Sequence, residues 1–291
     1  MMPEDVPVLA IDVGGTNTKV GTVTSAGAVD QVQVFATGSS NPEALIGKIV
    51  AAAPRGAVSG VGVSVAGFLN PERDRLIYNP NLKWLVGFPL LEAVQTAFDK
   101  PVVLEVDSNA ACLGEYVYGS GRGSTRFLCL TAGTGLGGGM IVNGEILRFN
   151  GACIGDVGHV VVDGFGLECS CGGHGCAEAF VGAEGIATRT GHHSLQAVVK
   201  AAQHGDAEAA AEIASAGHVL GTATASLVHI FAPDRVAIAG GLSEAGDLLI
   251  SSAVDAFQYT AGTAYSDVQI LKAELGWKAP LIGAAAGVFR S

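Results

Sequence analysis

The chain has 291 residues, of which 49% are hydrophobic and 15% are charged, so it can form a large buried core and is not a disordered polymer. Its 27 acidic residues against 16 Lys and Arg give a net charge of −11, and without any basic run this disfavours nucleic acid as a partner. No window approaches the roughly 18 apolar residues of a membrane span, and the acidic N-terminus lacks the basic start of a signal peptide, so we expect a cytoplasmic protein without membrane association.

At about 100–200 residues per domain, the length predicts two domains. The first part of the chain has a β-hairpin with a tip rich in Gly and Thr, followed by alternating helices and strands. The predicted elements are strands 8–13, 19–23 and 29–35, helix 42–53, strand 58–65, a long loop over 68–87, helix 90–98, strand 102–106 and helix 109–118. Loops as long as 68–87 are usually functional.

A glycine-rich joint at 119–123 marks the predicted boundary. We expect a smaller N-terminal α/β domain over 1–118 and a larger α/β domain over 119–278, with a closing helix at 279–291 that packs back onto the first. The second part is predicted to contain strand 127–130, a glycine run at 133–139, a hairpin about Asn143-Gly144, helices 183–190 and 194–229 (broken near Gly205), and strand 235–239. Both halves begin with a strand, a glycine-rich turn and a hairpin, which indicates weak internal pseudo-symmetry.

Two loops combine bare backbone amides with hydroxyl groups, and each follows an apolar strand. The first runs from Asp12 to Lys19 and the second from Thr131 to Gly139. Glycines let a phosphate approach backbone N–H groups closely, and Asp12 at a strand end is a candidate Mg²⁺ ligand. A third glycine pair, Gly240-Gly241, could pass under the base and ribose of a nucleotide. A single such loop could equally be a simple hairpin turn, but two of them favour a bound nucleotide.

These loops, the run Glu105-Val106-Asp107-Ser108-Asn109 and the cysteine segment 159–176 resemble the ROK family of sugar kinases and repressors over nearly the whole chain. The resemblance implies the actin/hexokinase-like (ribonuclease H-like) ATPase fold, with two α/β domains around a cleft. It also implies ATP and Mg²⁺ as cofactors, and a homodimer. By the same resemblance, the phosphates of ATP are bound by Gly14, Gly15, Thr16, Gly133, Thr134 and Gly135, and we add Lys19 as a candidate.

The cysteine segment has the spacing H-x9-C-x-C-x4-C, formed by His159, Cys169, Cys171 and Cys176. Three thiolates and one imidazole complete a tetrahedral Zn²⁺ site and leave no open position for catalysis, so the spacing predicts a structural zinc. The alternative is three ordinary core cysteines, and His174 is a competing imidazole. In the ROK family the matching residues bind a structural zinc, which agrees with the prediction from spacing.

Asp107 lies between a strand and a helix, where it could cap the helix or act as a base. Spacing alone does not separate these two roles. Phosphoryl transfer to a hydroxyl requires a carboxylate that accepts the hydroxyl proton, and by resemblance the family's catalytic aspartate corresponds to Asp107. The sugar contacts implied by the resemblance are Gly67, Asn81, Asp107, Asp156, His159 and Glu178. Glu178 could also serve as a first-turn carboxylate of a helix.

Two positions depart from the family pattern. The residue before the catalytic aspartate is usually Asn and is Val106 here, and the acidic residue of the E-x-G-H motif is Asp156 rather than Glu. Val cannot hydrogen-bond through its side chain, and Asp is one methylene shorter. We therefore expect phosphorylation of a hexose hydroxyl, by resemblance the 6-OH, with a preference for a modified, amino or deoxy sugar or a polyol over plain glucose.

Three alternatives accompany this prediction. A DNA-binding repressor is disfavoured, because the first phosphate loop begins at Asp12 and leaves no room for a helix-turn-helix ahead of it. A non-catalytic sugar sensor is consistent with Val106, but such a protein does not need Asp107 or two phosphate loops. The third alternative is a kinase that uses polyphosphate as its phosphoryl donor. The sequence shows no signature of a basic groove for such a donor.

Overall fold

The computed structural model describes residues 6–38, 41–149 and 153–291, which form two compact units. The first contains the described residues up to Gly119, those of 146–154, and Lys278–Ser291. The second contains Ser120–Glu145 and Gly155–Trp277. The described residues of 146–154 follow a strand of the second unit, and the sequence predicts them there, yet they belong to the first unit.

The described residues of the first unit form a five-stranded mixed sheet in the order β3-β2-β1-β4-β7, with helices against it. Its elements are β1 (Val8–Val13), β2 (Asn17–Val23), β3 (Val29–Ala36), α1 (Pro42–Ala52), β4 (Val61–Val65), β5 (Phe68–Leu69), β6 (Leu76–Tyr78), α2 (Leu90–Phe98), β7 (Val102–Val106) and α3 (Asp107–Tyr118). Strand β1 pairs antiparallel with β2 and parallel with β4, which in turn pairs parallel with β7.

Two predictions for the first unit need correction. The stretch predicted as a loop over 68–87 contains the antiparallel pair β5–β6 and a short 3₁₀ turn at Lys83–Leu85. Helix α3 begins at Asp107 rather than Asn109, because Val106 is the last extended residue before it. A carboxylate in the first turn is favourable at the positive end of the helix dipole.

The described residues of the second unit repeat this arrangement, with the sheet order β10-β9-β8-β11-β12. Its elements are β8 (Arg126–Ala132), β9 (Leu136–Val142), β10 (Glu145–Ile146), α4 (Ala177–Val181), α5 (Ala183–Arg189), α6 (Leu195–Gln203), α7 (Ala207–Phe231), β11 (Arg235–Ala239), α8 (Asp247–Ala261) and β12 (Gln269–Lys272). Here too the first strand pairs antiparallel with the second, β8 with β9, and parallel with β11, which pairs parallel with β12. The two sheets therefore have the same strand-pairing pattern, which agrees with the internal pseudo-symmetry that the sequence indicates.

Helix 194–229 of the prediction is two helices, α6 and α7, and the break falls at the expected Gly205, which has a φ of 93°. The sequence is expected to contain no window apolar enough for a membrane span, but among the described residues α7 is one helix that passes this test by length and composition. However, 56% of its apolar window is buried within the protein. Its partner α8 was not predicted, since it starts after Gly246 without a side-chain cap.

The last helix, α9 (Ala279–Phe289), returns to the first unit and packs against α3. The two helices approach so closely at Gly283 that a Cβ there would lie 1.6 Å from the carbonyl oxygen of Ala110. Only glycine allows this contact. Helix α3, which carries Asp107 at its start, is thereby held in place along its buried length.

Candidate active-site residues of the two units

Three polar residues form a row across the sheet of the first unit. Asp12 on β1 is in register with Ser64 on β4, which is in register with Glu105 on β7, so the three side chains share one face. The buried Asp12 carboxylate accepts from Ser64 Oγ at 3.1 Å and pairs with Lys19 Nζ at 2.7 Å. Each carboxylate oxygen keeps a further lone pair, so Asp12 can still bind a cation.

Asp107 follows this row at the junction of β7 and α3. The N-cap of α3 is Val106, so Asp107 is the first helical residue and the N-cap role that the sequence left open does not fall to it. Its Oδ1 accepts from the N–H of Ser108 at 2.7 Å. The surrounding protein desolvates the carboxylate although part of it still reaches water, and this desolvation, reinforced by the nearby charge of Asp12, raises the pKa of Asp107 to about 7.

The first glycine loop is a tight turn between β1 and β2, closed by a hydrogen bond of 3.0 Å from Gly14 N–H to the carbonyl of Asn17. Thr37 supports the turn from the end of β3, because its hydroxyl donates to the carbonyl of Gly14 at 2.8 Å. Gly15 and Thr16 at the tip are exposed. The loop thus presents backbone N–H groups on a fixed support, which is how protein loops bind phosphate.

Gly67 and Asn81 lie on neighbouring turns. Asn79, which was not identified from the sequence, connects the two turns through hydrogen bonds. Gly67 has a φ of 109°, and a Cβ there would lie 2.5 Å from the carbonyl oxygen of Tyr78. The buried Asn79 donates to the carbonyl of Ala66 at 2.7 Å and accepts from Asn81 N–H at 2.7 Å. Asn81 is exposed, and its Cβ lies 3.2 Å from the position that a Cβ on Gly15 would take. Asn81 is therefore held beside the first glycine loop.

Val106 is 4% exposed and belongs to the hydrophobic core of the first unit. It is in register with Val65 on β4, one position beyond the polar row, so its side chain points to the opposite face of the sheet from Glu105. The branched apolar side chain at this position is accounted for by core packing.

The second glycine loop turns between β8 and β9, and the carbonyl of Gly133 accepts from Ala183 N–H at 2.9 Å. Glu178 in the first turn of α4 accepts from Leu136 N–H at 2.9 Å, so its carboxylate both stabilises the helix end and fixes the loop. Gly240, with a φ of 89°, would place a Cβ 2.2 Å from the carbonyl oxygen of Ala132. The second unit therefore brings the loop, Glu178 and Gly240 together, with Thr134 and Gly241 exposed.

His159, Cys169, Cys171 and Cys176 form one cluster in the second unit, with their ligand atoms within 4.8 Å of one another. The Sγ of Cys171 lies 3.7 Å from that of Cys176, and the Sγ of Cys169 lies 3.5 Å from Nδ1 of His159. A tetrahedral zinc with bonds of about 2.3 Å to sulfur and 2.05 Å to nitrogen has edges of roughly 3.8 and 3.5 Å. His174 stands outside this group and forms a β-bridge with Glu168.

Two thiols of this cluster have shifted pKa values. The N–H of Gly173 donates to Cys171 Sγ at 3.4 Å and lowers the pKa of that thiol. Burial raises the pKa of Cys176, and hydrogen bonds to the neighbouring thiols reinforce the shift. One thiolate in such a group opposes the next, so the donor set fits a divalent cation that stabilises all of them.

Asp156 contacts the opposite side of the His159 ring, with Oδ2 at 3.2 Å from Nε2. Partial desolvation raises the pKa of Asp156; His159 opposes this shift and Glu178 adds to it. The carboxylates of Asp156 and Glu178 are thus close enough to interact, at the edge of the cysteine cluster.

Each unit therefore collects its own share of the predicted residues. The first holds Asp12, Gly14, Gly15, Thr16, Lys19, Gly67, Asn81 and Asp107, and the second holds Gly133, Thr134, Gly135, Asp156, His159, Cys169, Cys171, Cys176, Glu178, Gly240 and Gly241. The sequence did not identify Ser64, Asn79, Glu105 or Arg148 as functional. An acidic residue within an otherwise apolar strand is the one signal in the sequence that could have pointed to Glu105.

Comparison with known proteins is consistent with this geometry. The model of the ROK family matches residues 8–290. A glucokinase of Streptomyces coelicolor is 31% identical over 95% of this chain and 96% of its own. An N-acetylmannosamine kinase of Yersinia pestis is 31% identical over 79% of both chains. Among solved structures, a ROK family glucokinase from Streptomyces griseus in complex with glucose and AMPPNP is 29% identical and superposes with a TM-score of 0.89, covering 98% of this chain and 100% of its own.

Proposed function

The chain belongs to the ROK family and is an ATP-dependent sugar kinase, and we propose that Asp107 is the base that activates the accepting sugar hydroxyl. The observation that carries this proposal is the position of Asp107 at the start of α3, next to the polar row of Asp12, Ser64 and Glu105, where desolvation raises its pKa to about 7. A general base works best when its pKa lies near the operating pH. Asp107 would accept the hydroxyl proton while the oxygen attacks the γ-phosphate in line.

The nucleotide is the second part of the proposal. The exposed turn at Gly15 and Thr16, and the supported loop with Gly133, Thr134 and Gly135, would bind the phosphates of ATP through backbone N–H groups. Asp12 would hold Mg²⁺, directly or through water, and the ion would neutralise charge on the β- and γ-phosphates. Lys19, paired with Asp12 at 2.7 Å, supplies a positive charge next to this position. Gly240 and Gly241 would lie under the base and ribose.

We propose that the cysteine cluster binds one structural Zn²⁺. The donor set and the distances of 3.5 and 3.7 Å support this assignment, and four protein ligands leave no position for a substrate. The ion would fix the segment between Asp156 and Glu178. It supplies folding energy rather than chemistry.

The substrate is proposed to be a hexose phosphorylated at its 6-OH, contacted by Gly67, Asn81, Asp156, His159 and Glu178. The position before Asp107 offers no amide, because Val106 packs into the core. Asp156 contacts His159, which leaves less of its carboxylate for a sugar hydroxyl. We therefore propose a preference for an amino, deoxy or N-acylated sugar, or a polyol, over glucose.

A panel of glucose, mannose, amino sugars, N-acylated sugars, deoxy sugars and inositols tests this function through ADP release and thermal shift. Release with at least one sugar is expected. Turnover of glucose with a kcat/KM on the order of 10⁵ M⁻¹s⁻¹ or above would contradict the proposed preference, since enzymes typically reach roughly 10⁴–10⁸ M⁻¹s⁻¹ on good substrates. A sugar that raises the melting temperature without any turnover would indicate a sensor instead. The same assay with polyphosphate in place of ATP, read out as sugar phosphate formed, tests whether ATP is the phosphoryl donor.

A further inference from the structure

Glu105 is a buried carboxylate that the proposed chemistry does not use. It is 4% exposed and lies two residues before Asp107, at the end of β7. Its Oε1 accepts from the N–H of Val106 at 3.0 Å and from Nδ2 of Asn109 at 2.9 Å. Both donors flank Asp107, one on each side. The Glu105 side chain therefore bridges the turn in which the strand ends and the helix begins.

Two arginines hold the other oxygen of Glu105. Arg148 pairs with Oε2 through its guanidinium, and Arg73 lies 3.4 Å from the same oxygen. A buried carboxylate is costly unless it is paired and fully hydrogen-bonded. Here both oxygens of Glu105 accept hydrogen bonds, and two of the donors are cationic, which offsets the cost of burying the carboxylate.

The two arginines come from distant parts of the chain. Arg73 lies in the β5–β6 connection, and Arg148 lies in the segment 146–149 just after β10. That segment belongs to the first unit although the residues before it belong to the second. The Arg148–Glu105 ion pair lies within the first unit. A few residues further on, the chain reaches Asp156 and His159.

We propose that Glu105 is a positioning residue for Asp107, and that Arg148 holds it in place. This inference rests on the proposed role of Asp107 as the base. Glu105 accepts hydrogen bonds from the backbone and side chain on the two sides of Asp107, and Arg148 holds the Glu105 carboxylate. A base must be held within a fraction of an ångström of its working position, because a displacement of about 1 Å can cost on the order of a hundredfold in rate.

A purely structural ion pair would give a different result from a positioning pair. Losing a structural pair lowers the folded fraction, and activity falls in proportion. Losing a positioning pair lowers kcat in protein that is still folded, while the KM for ATP changes little. A structural role and a positioning role therefore separate when stability and kcat are measured on the same variants.

The test compares Glu105→Gln, Arg148→Met, Arg148→Lys and the double variant Glu105→Gln/Arg148→Met. Arg75→Met is the matched control, since Arg75 forms an exposed ion pair with Asp74 in the same connection as Arg73. We expect kcat to fall about tenfold or more in Glu105→Gln and Arg148→Met, with partial recovery in Arg148→Lys. The double variant leaves no unpaired buried charge, so it should regain stability without regaining kcat. Arg75→Met should behave as wild type.

Wild-type kcat in folded Glu105→Gln and Arg148→Met would overturn the inference, as would a loss that only follows the folded fraction. If the wild type itself is inert on every sugar, it is the proposed function that fails, and hydrogen exchange then tests only whether Glu105 restrains the backbone around Asp107. Positioning predicts faster exchange of the amides of residues 104–112 in Glu105→Gln. Unchanged exchange there would contradict it.

Discussion

The carboxylate of Asp156 contacts Nε2 of His159 at 3.2 Å, while Nδ1 of the same ring lies 3.5 Å from the Sγ of Cys169. The two ring nitrogens are therefore divided between a carboxylate and the thiol cluster. Carboxylates in this position fix the tautomer and orientation of a metal-binding histidine. In the proposed zinc site, Asp156 would therefore orient His159, a role separate from the sugar contact implied by family resemblance.

Asp156→Ala should weaken zinc binding about 10- to 100-fold, because the histidine loses the partner that orients it. The measurement is the rate and extent of zinc release to a chelator, followed with a colorimetric indicator. Glu168→Gln, which changes an exposed carboxylate in the same segment, serves as the control. Equal zinc retention in Asp156→Ala and wild type would show that Asp156 does not orient the histidine.

Cys176→Ser should abolish binding of the zinc expected at one ion per chain, since the serine hydroxyl does not replace a thiolate ligand. The melting temperature should fall by several degrees, because each 1 kcal/mol corresponds to roughly 2–4 °C for 150–250 residues. Metal content by mass spectrometry and a thermal melt give both results. Cys112→Ala removes a buried thiol outside the cluster and should keep the zinc. Wild-type protein that contains no zinc after expression with the metal would refute the site.

Gly135 and Gly133 should respond differently to alanine. A Cβ on Gly135 would lie 2.3 Å from Oε2 of Glu178, which accepts from Leu136 N–H, whereas a Cβ on Gly133 meets nothing within 4 Å. Gly135→Ala should therefore cost about 1–3 kcal/mol of stability. Gly133→Ala should leave stability nearly unchanged and raise the KM for ATP about tenfold, because a methyl group blocks approach of a phosphate.

Chemical denaturation and ATP titration measure the two effects. If the KM for ATP is the same in Gly133→Ala and wild type, this loop does not bind the nucleotide, even if Gly135→Ala is destabilised as expected.

The pKa of Asp107, raised to about 7 by desolvation and by Asp12, predicts the pH dependence of activity. The base must be ionised, so kcat/KM should fall about tenfold for each pH unit below pH 7 and level off above it. A profile of ADP formation between pH 5 and 9, at saturating ATP and low sugar, tests this. A profile that stays flat down to pH 5 would be inconsistent with a base of this pKa.

Stability should change in the opposite direction. The folded pKa of Asp107 lies above its unfolded value, so its charge does not oppose folding below about pH 4, opposes it progressively as pH rises, and does so fully above about pH 7. Asp107→Asn should therefore be more stable than wild type at pH 8 and about equally stable at pH 4. Thermal melts of both proteins across this range give the comparison.

Features encoded by local spacing could be predicted from the sequence. The two turns at the glycine loops and the four side chains that form the cysteine cluster each lie within a short stretch, and the break near Gly205 follows from one residue type. The helix predicted over 109–118 is present as α3, which begins two residues earlier, at Asp107.

Features that depend on strand register and distant pairing could not be predicted. Val106 faces the core because it lies one position beyond Glu105 on β7, and only the pairing with β4 reveals which face is polar. The partner of Glu105, Arg148, lies 43 residues away in a segment that returns to the first unit. No local pattern indicates such a return.

The rate of ADP formation by wild type, Asp107→Asn and Asp99→Asn, each with the best sugar of the panel, tests the central claim most directly. Asp99 is an exposed residue at the end of α2, in a left-handed conformation that Asn also adopts readily, so it controls for the substitution itself. We expect Asp107→Asn to lose about 10²- to 10⁴-fold in kcat while still binding the sugar in a thermal-shift assay, and Asp99→Asn to match wild type. An Asp107→Asn enzyme that retains kcat within a few-fold of wild type would contradict the assignment of Asp107 as the base.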